Sequence, residues 1–595
     1  MVFQDFDIIS ERRRLERQRK FRKRLTIAAV SIVLLLVIVG AGVFTIVRQT
    51  DQKLNSGAAN KESNSHQKAK QDDSAHIKSV IKLVCNSTDY QDRCRTTLEE
   101  SVKGKSASST HPKDILKIAI EATHTESEKA MKKAESLKLI SKKEKAAFDD
   151  CKELIHTAYH ELDESISFVN VETKQLVKNE ADLKNWLSAV MAYYQTCIDG
   201  FGDEKSKPDV EKAFNATMEL TSNALAMISG IAEIFSPSDE KPKSEKSGRR
   251  LLDTESDPPT VDKDGFPGWI SHEDRRMLKA KDPDHPKPDV VVAKDASGKF
   301  KTITAALAAI PSNHKGRYVI YVKEGVYDEQ VTVSQPNITM YGDGSQKSIV
   351  TGSKNGKDGV QTYRTASFVA LGDGFVAKAL GFRNTAGAAK GQAVALRVQA
   401  DRSIFQNCRF EGYQDTLYVH THRQYYRSCV ITGTIDFIFG DAAAVFQNCL
   451  IQLRKPLKDQ QIIITAQGRS DRHETTGIVL QNCKIKADKE LKEKVKSYLG
   501  RPWRAYSRTI VMESTIDDLI DPRGWLEWEG KLGLDTLYYA EYNNQGPGAN
   551  TKGRVKWPGF HVIDKDEANK YTVEAFLQGG DWISETGAPV RLGLS

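Results

Sequence analysis

The chain has 595 residues, too many for one ordinary domain. With 39% hydrophobic and 28% charged residues it has the composition of a soluble globular protein, which excludes a fibrous or wholly disordered chain. The net charge of +8 is modest for this length and by itself does not choose between nucleic acid and an acidic polysaccharide as a partner.

Residues 1–24 form a basic tail dominated by Arg12, Arg13, Arg14, Arg17, Arg19, Lys20, Arg22, Lys23 and Arg24. Residues 25–47 carry no charge and are long enough to span a bilayer. The basic tail predicts that its own side stays cytoplasmic, so residues 25–47 read as a transmembrane signal anchor that delivers the rest to the secretory pathway. A cleaved signal peptide is the rival, but its apolar core is usually shorter. The tail is thereby explained as an orientation signal, and no nucleic-acid partner is expected.

Residues 48–75 are polar and read as a stalk. From 76 to 236 the pattern is helical. Leu183, Trp186, Leu187, Val190, Met191, Tyr194, Cys197 and Ile198 recur at three- and four-residue steps, as do Cys151, Leu154, Ile155, Ala158, Leu162 and Ile166. Such stripes predict a four-helix bundle whose apolar faces are core. Residues 237–285 are a linker rich in Pro, Ser, Lys and Asp. It contains Arg249-Arg250-Leu251-Leu252 and the similar Arg275-Arg276-Met277-Leu278. Paired basic residues in an exposed linker predict cleavage by a processing protease near Arg250 or Arg276.

Beyond residue 286 short β-branched and aromatic runs alternate with Gly, Asn and Asp turns. One template recurs: Phe382-Arg383-Asn384-Thr385, Phe405-Gln406-Asn407-Cys408, Tyr426-Arg427-Ser428-Cys429, Phe446-Gln447-Asn448-Cys449 and Leu480-Gln481-Asn482-Cys483, at steps of 23, 21, 20 and 34 residues. A period near twenty with strand-like units predicts the successive coils of a parallel β-helix over 286–595; that it is right-handed is what the family resemblance given below implies.

The eight cysteines form no CxxC pair, which disfavours zinc and dithiol redox chemistry, and an even number in an exported chain favours disulfides. Equivalent positions on adjacent coils stack about 4.8 Å apart, close enough for a bridge. This predicts Cys408–Cys429, with Cys449–Cys483 remaining; spacing leaves Cys429–Cys449 open. In the helical segment the expected pairs are Cys85–Cys94 and Cys151–Cys197. The sequons at Asn86, Asn215 and Asn337 are candidate glycosylation sites.

The repeat also places polar residues. Gln392, Asp415 and Asp436 each lie seven positions after the last residue of a template, Thr385, Cys408 and Cys429, so the register predicts equivalent points on three coils. Gln414 precedes Asp415. Two neighbouring carboxyls repel, so one holds its proton and the other stays a nucleophile. Primary amides can donate to a developing oxyanion, and one such donor is typically worth about 3–4 kcal/mol of barrier. Arg501 is the candidate cation beside the nucleophile, and Tyr418, Phe439 and Trp525 are candidate platforms for sugar rings.

At these residues a resemblance becomes specific. Gln392-Ala393-Val394-Ala395-Leu396, Gly412-Tyr413-Gln414-Asp415-Thr416-Leu417, Asp436-Phe437-Ile438-Phe439-Gly440 and Leu499-Gly500-Arg501-Pro502-Trp503 resemble the four signature blocks of plant pectinesterases, and Gly325-Val326-Tyr327-Asp328-Glu329 resembles a fifth. The helical segment resembles the pectinesterase-inhibitor domain of the longer precursors, and Arg-Arg-Leu-Leu their processing site. The resemblance implies a methylesterase acting on methyl-esterified homogalacturonan, with Asp436 as nucleophile and Asp415 as proton donor and then base. It implies Gln392 and Gln414 as oxyanion donors, Arg501 as the partner of the nucleophile, and Trp503 and Thr362 as substrate contacts. No cofactor and no metal is implied. The mature enzyme is expected to be secreted to the cell wall from a membrane-anchored precursor, with the helical domain as a partner of its own enzyme. Asp441 departs from the family pattern, which commonly has Asn there.

Two rivals share these residues. A glycosidase or lyase also uses paired carboxylates on this fold, but two glutamines and an arginine suit acyl transfer better. An inhibitor-only protein with an inert β-helix would need a hidden defect. No G-x-S-x-G, HExxH or P-loop occurs.

Overall fold

The computed structural model describes residues 76–103, 111–170, 176, 178–230 and 286–595. The basic tail, the predicted span over 25–47, the stalk and both dibasic sites, Arg250 and Arg276, lie outside the described residues.

The helical part comprises α1 (76–85), α2 (Gln91–Ser101), α3 (Pro112–Glu135), α4 (Lys142–Val169), α5 (Glu180–Asp199) and α6 (Lys207–Ser229). The four longest pack as a bundle, α3 on α4 and α6, and α5 on α4 and α6. Helix α4 starts at a capping box. Ser141 Oγ accepts from Glu144 N, and the Glu144 carboxylate accepts from Ser141 N, which satisfies N–H groups that the first turn leaves open. The predicted stripes face the core: Leu183, Leu187, Val190, Leu154 and Leu162 are all buried. Both expected bridges of this half, Cys85–Cys94 and Cys151–Cys197, are present.

Residues 286–595 wind through three parallel sheets of eleven, eight and seven strands, in which each strand pairs with its counterparts on the neighbouring coils. The template repeat has a physical basis. Phe405 pairs with Tyr426, Tyr426 with Phe446 and Phe446 with Leu480, and their side chains stack in the interior; Phe405–Tyr426 centroids are 5.0 Å apart and Tyr426–Phe446 4.4 Å. Asn407, Ser428, Asn448 and Asn482 then turn the chain with positive φ, a conformation for which Asn is suited. The cysteine that follows points inward.

Two expectations fail here. Cys408, Cys429, Cys449 and Cys483 are free buried thiols, so neither Cys408–Cys429 nor Cys449–Cys483 is formed. Side chains on adjacent coils point the same way at the strand spacing of about 4.8 Å, whereas a disulfide draws its Cβ atoms to about 3.8 Å. Phe382-Arg383-Asn384-Thr385 is not in the template register either. Phe382 pairs with Phe410 on the eight-stranded sheet, while the partner of Phe405 on the eleven-stranded sheet is Ala377.

Outside the coils, a C-terminal segment lays Val573, Leu577, Trp582 and Ile583 over Ile404, Tyr425, Val445 and Val479 on the outer face of the eleven-stranded sheet. The outer face of the seven-stranded sheet is covered by the helical bundle.

Candidate active site

The seven-stranded sheet includes Leu396–Val398, Leu417–Val419, Ile438–Gly440, Ile462–Gln467 and Ser497–Gly500 on successive coils. Because Leu417 pairs with Ile438, Asp415 and Asp436 occupy equivalent positions two residues before their strands. Both have positive φ, 61° and 50°, which aspartate tolerates better than most residues. Gly440 closes the strand that follows Asp436 at a φ of 131°, where a Cβ would lie 1.9 Å from the Val419 carbonyl oxygen. Only glycine lets the coils approach so closely.

The register prediction for Gln392 is corrected. Leu396 pairs with Leu417, which puts Val394 opposite Asp415 and Gln392 opposite Tyr413. Gln392 nevertheless lines the same cleft of about 470 Å3, together with Gln414, Asp415, Asp436, Arg501, Trp503, Thr362, Tyr418 and Phe439. Trp525 does not. It is wholly buried among the coils, packed on Tyr539 with centroids 4.3 Å apart and its indole N–H on Glu541, so it is core and not a sugar platform. Tyr418 and Phe439 stack on one another at 4.4 Å on the cleft floor.

Asp415 and Asp436 are only 7% and 5% exposed. Arg501 grips Asp436 with two hydrogen bonds, Nε to Oδ1 at 2.9 Å and Nη2 to Oδ2 at 2.6 Å, a bidentate pairing that fixes the carboxylate plane. Burial pushes the Asp436 carboxyl up, and Arg501 opposes that rise. Asp415 is driven well above the usual carboxylate range, first by burial and then by the charge of Asp436. The pair is therefore unequal: both carboxyls are pushed up by burial, Asp415 well above the usual range, while Arg501 opposes the rise at Asp436. Sequence reasoning missed Trp528, whose ring lies 4.2 Å beneath the Arg501 guanidinium. Its signal was one more tryptophan shortly after the Arg-Pro-Trp block.

The cleft has a second wall. Asp150, Leu154, Thr196, Asp199, Gly200 and Asp203 of the bundle line it from above. Thr196 Oγ1 meets His420 Nε2 at 2.9 Å, Arg364 Nε donates to Asp150 Oδ1 at 2.6 Å, and Arg504 pairs with Asp199. His422 is held by Glu161 at 3.1 Å, Asn185 at 3.0 Å and Tyr193 at 3.2 Å. Asp182 takes Arg423 and Arg402, and Asp89 takes Arg472 and His473. Among the described residues, every ion pair between the two parts puts the acid on the bundle and the base on the β-helix. The histidines and arginines of this face were unremarkable in the sequence because their partners lie more than two hundred residues away.

A buried carboxyl pair, one member clamped by arginine, in a sugar-sized cleft on a parallel β-helix defines a carbohydrate-ester hydrolase. Comparison with known proteins narrows the class. A family model described as "Pectinesterase" matches residues 289–580, and one described as "Plant invertase/pectin methylesterase inhibitor" matches residues 79–227. Pectinesterase/pectinesterase inhibitor 45 of Arabidopsis thaliana is 48% identical over the whole of both chains, and pectinesterase/pectinesterase inhibitor 13 of the same plant is 49% identical, again over both whole chains. The solved pectin methylesterase from carrot is 50% identical, with a TM-score of 0.51, covering 52% of this chain and 98% of its own. The chain belongs to the pectinesterase/pectinesterase inhibitor family and is a carboxylic ester hydrolase.

Proposed function

We propose that the β-helix removes methyl groups from methyl-esterified homogalacturonan by a two-step acyl transfer. The Asp436 carboxylate attacks the C6 ester carbonyl, and Gln392 and Gln414 donate to the oxyanion that forms. Asp415, holding its proton, passes it to departing methanol. As a carboxylate it then takes a proton from water, which hydrolyses the acyl-enzyme and regenerates Asp436. Arg501 keeps Asp436 ionised and aimed. Trp503, Tyr418, Phe439 and Thr362 bind the sugars. The observation that carries this reading is the asymmetry of the pair: Arg501 bonds Asp436 alone, while burial and the neighbouring charge keep Asp415 protonated.

The bundle is, on this reading, the inhibitor of its own enzyme. It contributes Asp150, Asp199 and Asp203 to the cleft, and its acids meet the arginines that an acidic polysaccharide would meet. Cleavage near Arg250 or Arg276 would free the esterase into the cell wall from a precursor anchored by residues 25–47, with Asn86, Asn215 and Asn337, all exposed, as glycan sites. Methanol release by residues 286–595 from methyl-esterified pectin tests the chemistry. Activity in the native form and loss in Asp436→Asn is the expected result; new reducing ends in place of methanol would mean a glycosidase.

A further inference from the structure

Beneath the cleft lies a second carboxyl pair that the reaction does not use. Asp441 follows the nucleophile strand directly, and Glu474 belongs to the loop 468–476; they are 5% and 1% exposed. One oxygen of each is fully engaged. Asp441 Oδ1 accepts from Gln467 Nε2 at 3.0 Å and from Thr476 Oγ1. Glu474 Oε1 accepts from Ser470 N at 2.9 Å, Ser470 Oγ at 3.2 Å and Asp471 N at 2.6 Å. The other two oxygens, Asp441 Oδ2 and Glu474 Oε2, are buried and find no donor. The two carboxyls act on one another, and a single proton between them would satisfy both orphaned atoms.

Other charges face the pair. Asp471 adds repulsion, and Arg469, Arg504 and Arg508 are close. None of these arginines donates to either carboxyl. Arg469 donates to the carbonyls of Glu474 and Arg472, Arg508 to that of Thr476, and Arg504 is spent on Asp199. The guanidinium groups soften the repulsion without replacing the missing proton. Burial raises both carboxyls, Glu474 furthest, with Asp441 the next cause of its rise.

The pair also joins two working parts of the cleft. Asp441 continues the strand Ile438–Gly440 that follows the nucleophile, and Gly440 O accepts from Gly468 N at 2.8 Å. Gln467, which bonds Asp441, gives its carbonyl to Trp503 N at 3.3 Å, and the Trp503 ring sits so close to Gly468 that a Cβ there would lie 2.9 Å from it. We propose that Asp441 and Glu474 share one proton and act together as positioning residues, bolting the nucleophile strand to the loop that seats Trp503, and that loss of this proton loosens the seat. The proposal rests on the catalytic reading of Asp436 and Trp503 given above.

Asp441→Asn and Glu474→Gln each put a permanent N–H where the shared proton sits. The first measurement is thermal unfolding of the full chain against pH, which needs no activity. The folded wild type binds a proton that the unfolded chain releases above the ordinary carboxylate range, so wild-type stability falls as pH rises, and both variants should fall less, by about 2–4 °C in Tm for each unit of raised pKa. The second is the pH profile of methanol release by residues 286–595; a stretch of about this length, 52% of this chain, accounts for 98% of the solved carrot chain. The alkaline limb of wild-type kcat should move up by about one pH unit or more in both variants. Variants that titrate like wild type in Tm overturn the shared proton. Flattened Tm with an unmoved kcat profile overturns the positioning role. Failure of the Asp436 reading shows separately, as methanol release that survives Asp436→Asn, and leaves the Tm arm intact. If Asp441→Asn does not fold, Glu474→Gln carries the test.

Discussion

Glu161 of helix α4 and His422 of the β-helix stand 3.1 Å apart, across the seam between bundle and cleft, with the histidine only 4% exposed. Burial alone would lower the imidazole, but Glu161 first, then Asp401 and Asp373, lift it to about 9. The folded value lies above the ordinary 6.5, so this pair stabilises the closed form fully below about pH 6.5 and ceases to do so as pH rises through about 9. Glu161→Gln should therefore weaken the hold of the bundle on the cleft at pH 6 more than at pH 9.5. Methanol release by the uncleaved chain at the two pH values checks this; an equal effect at both would mean the pair is not charged.

Removing the arginine clamp separates aiming from chemistry. Arg501→Lys keeps a cation but loses the bidentate fork. Residues 286–595 carrying it should lose roughly 10²-fold in kcat, whereas Asp436→Asn should lose about 10⁴-fold or more. Steady-state methanol release distinguishes the two, and equal losses would mean that Arg501 does more than orient.

Reductant should act on one half only. The bundle carries Cys85–Cys94 and Cys151–Cys197, and the β-helix carries four thiols and no bridge among them. Loss of a native disulfide typically costs about 2–5 kcal/mol. Dithiothreitol should thus lower the unfolding temperature of the bundle and raise the activity of the uncleaved chain, while the Tm of residues 286–595 stays put. Calorimetry with and without reductant reads both.

The capping box of α4 offers a test that leaves both the cleft and the ion pairs untouched. Ser141→Ala removes the acceptor for Glu144 N and should cost about 1 kcal/mol, read as a lower urea midpoint of the bundle transition.

Much of the fold was legible because a coil repeats. The Phe/Tyr-x-Asn-Cys template records an inward ring, a left-handed turn and an inward thiol, so its period announces the β-helix and carries Asp415 and Asp436 into register. The same template misled at Phe382-Arg383-Asn384-Thr385, where similar letters sit on a different sheet, and Gln392 reached the cleft by a route the spacing did not describe. Stacked cysteines look like bridges in one dimension; parallel side chains at strand spacing keep them apart. Trp525 shows the usual ambiguity of an aromatic, which only packing resolves. The seam was illegible altogether, since nothing near Asp182 in the chain points to Arg423.

The one-sided distribution of charge across that seam has a consequence for how the enzyme leaves its cover. Each ester hydrolysed turns a neutral sugar into an anionic one, so the polymer grows more like the acidic helices whose place it takes. On the function proposed above, product and cover would compete for the same cations, and the grip of the cleft on its polymer would tighten with every methanol lost. Turnover on a long chain would then favour staying over letting go.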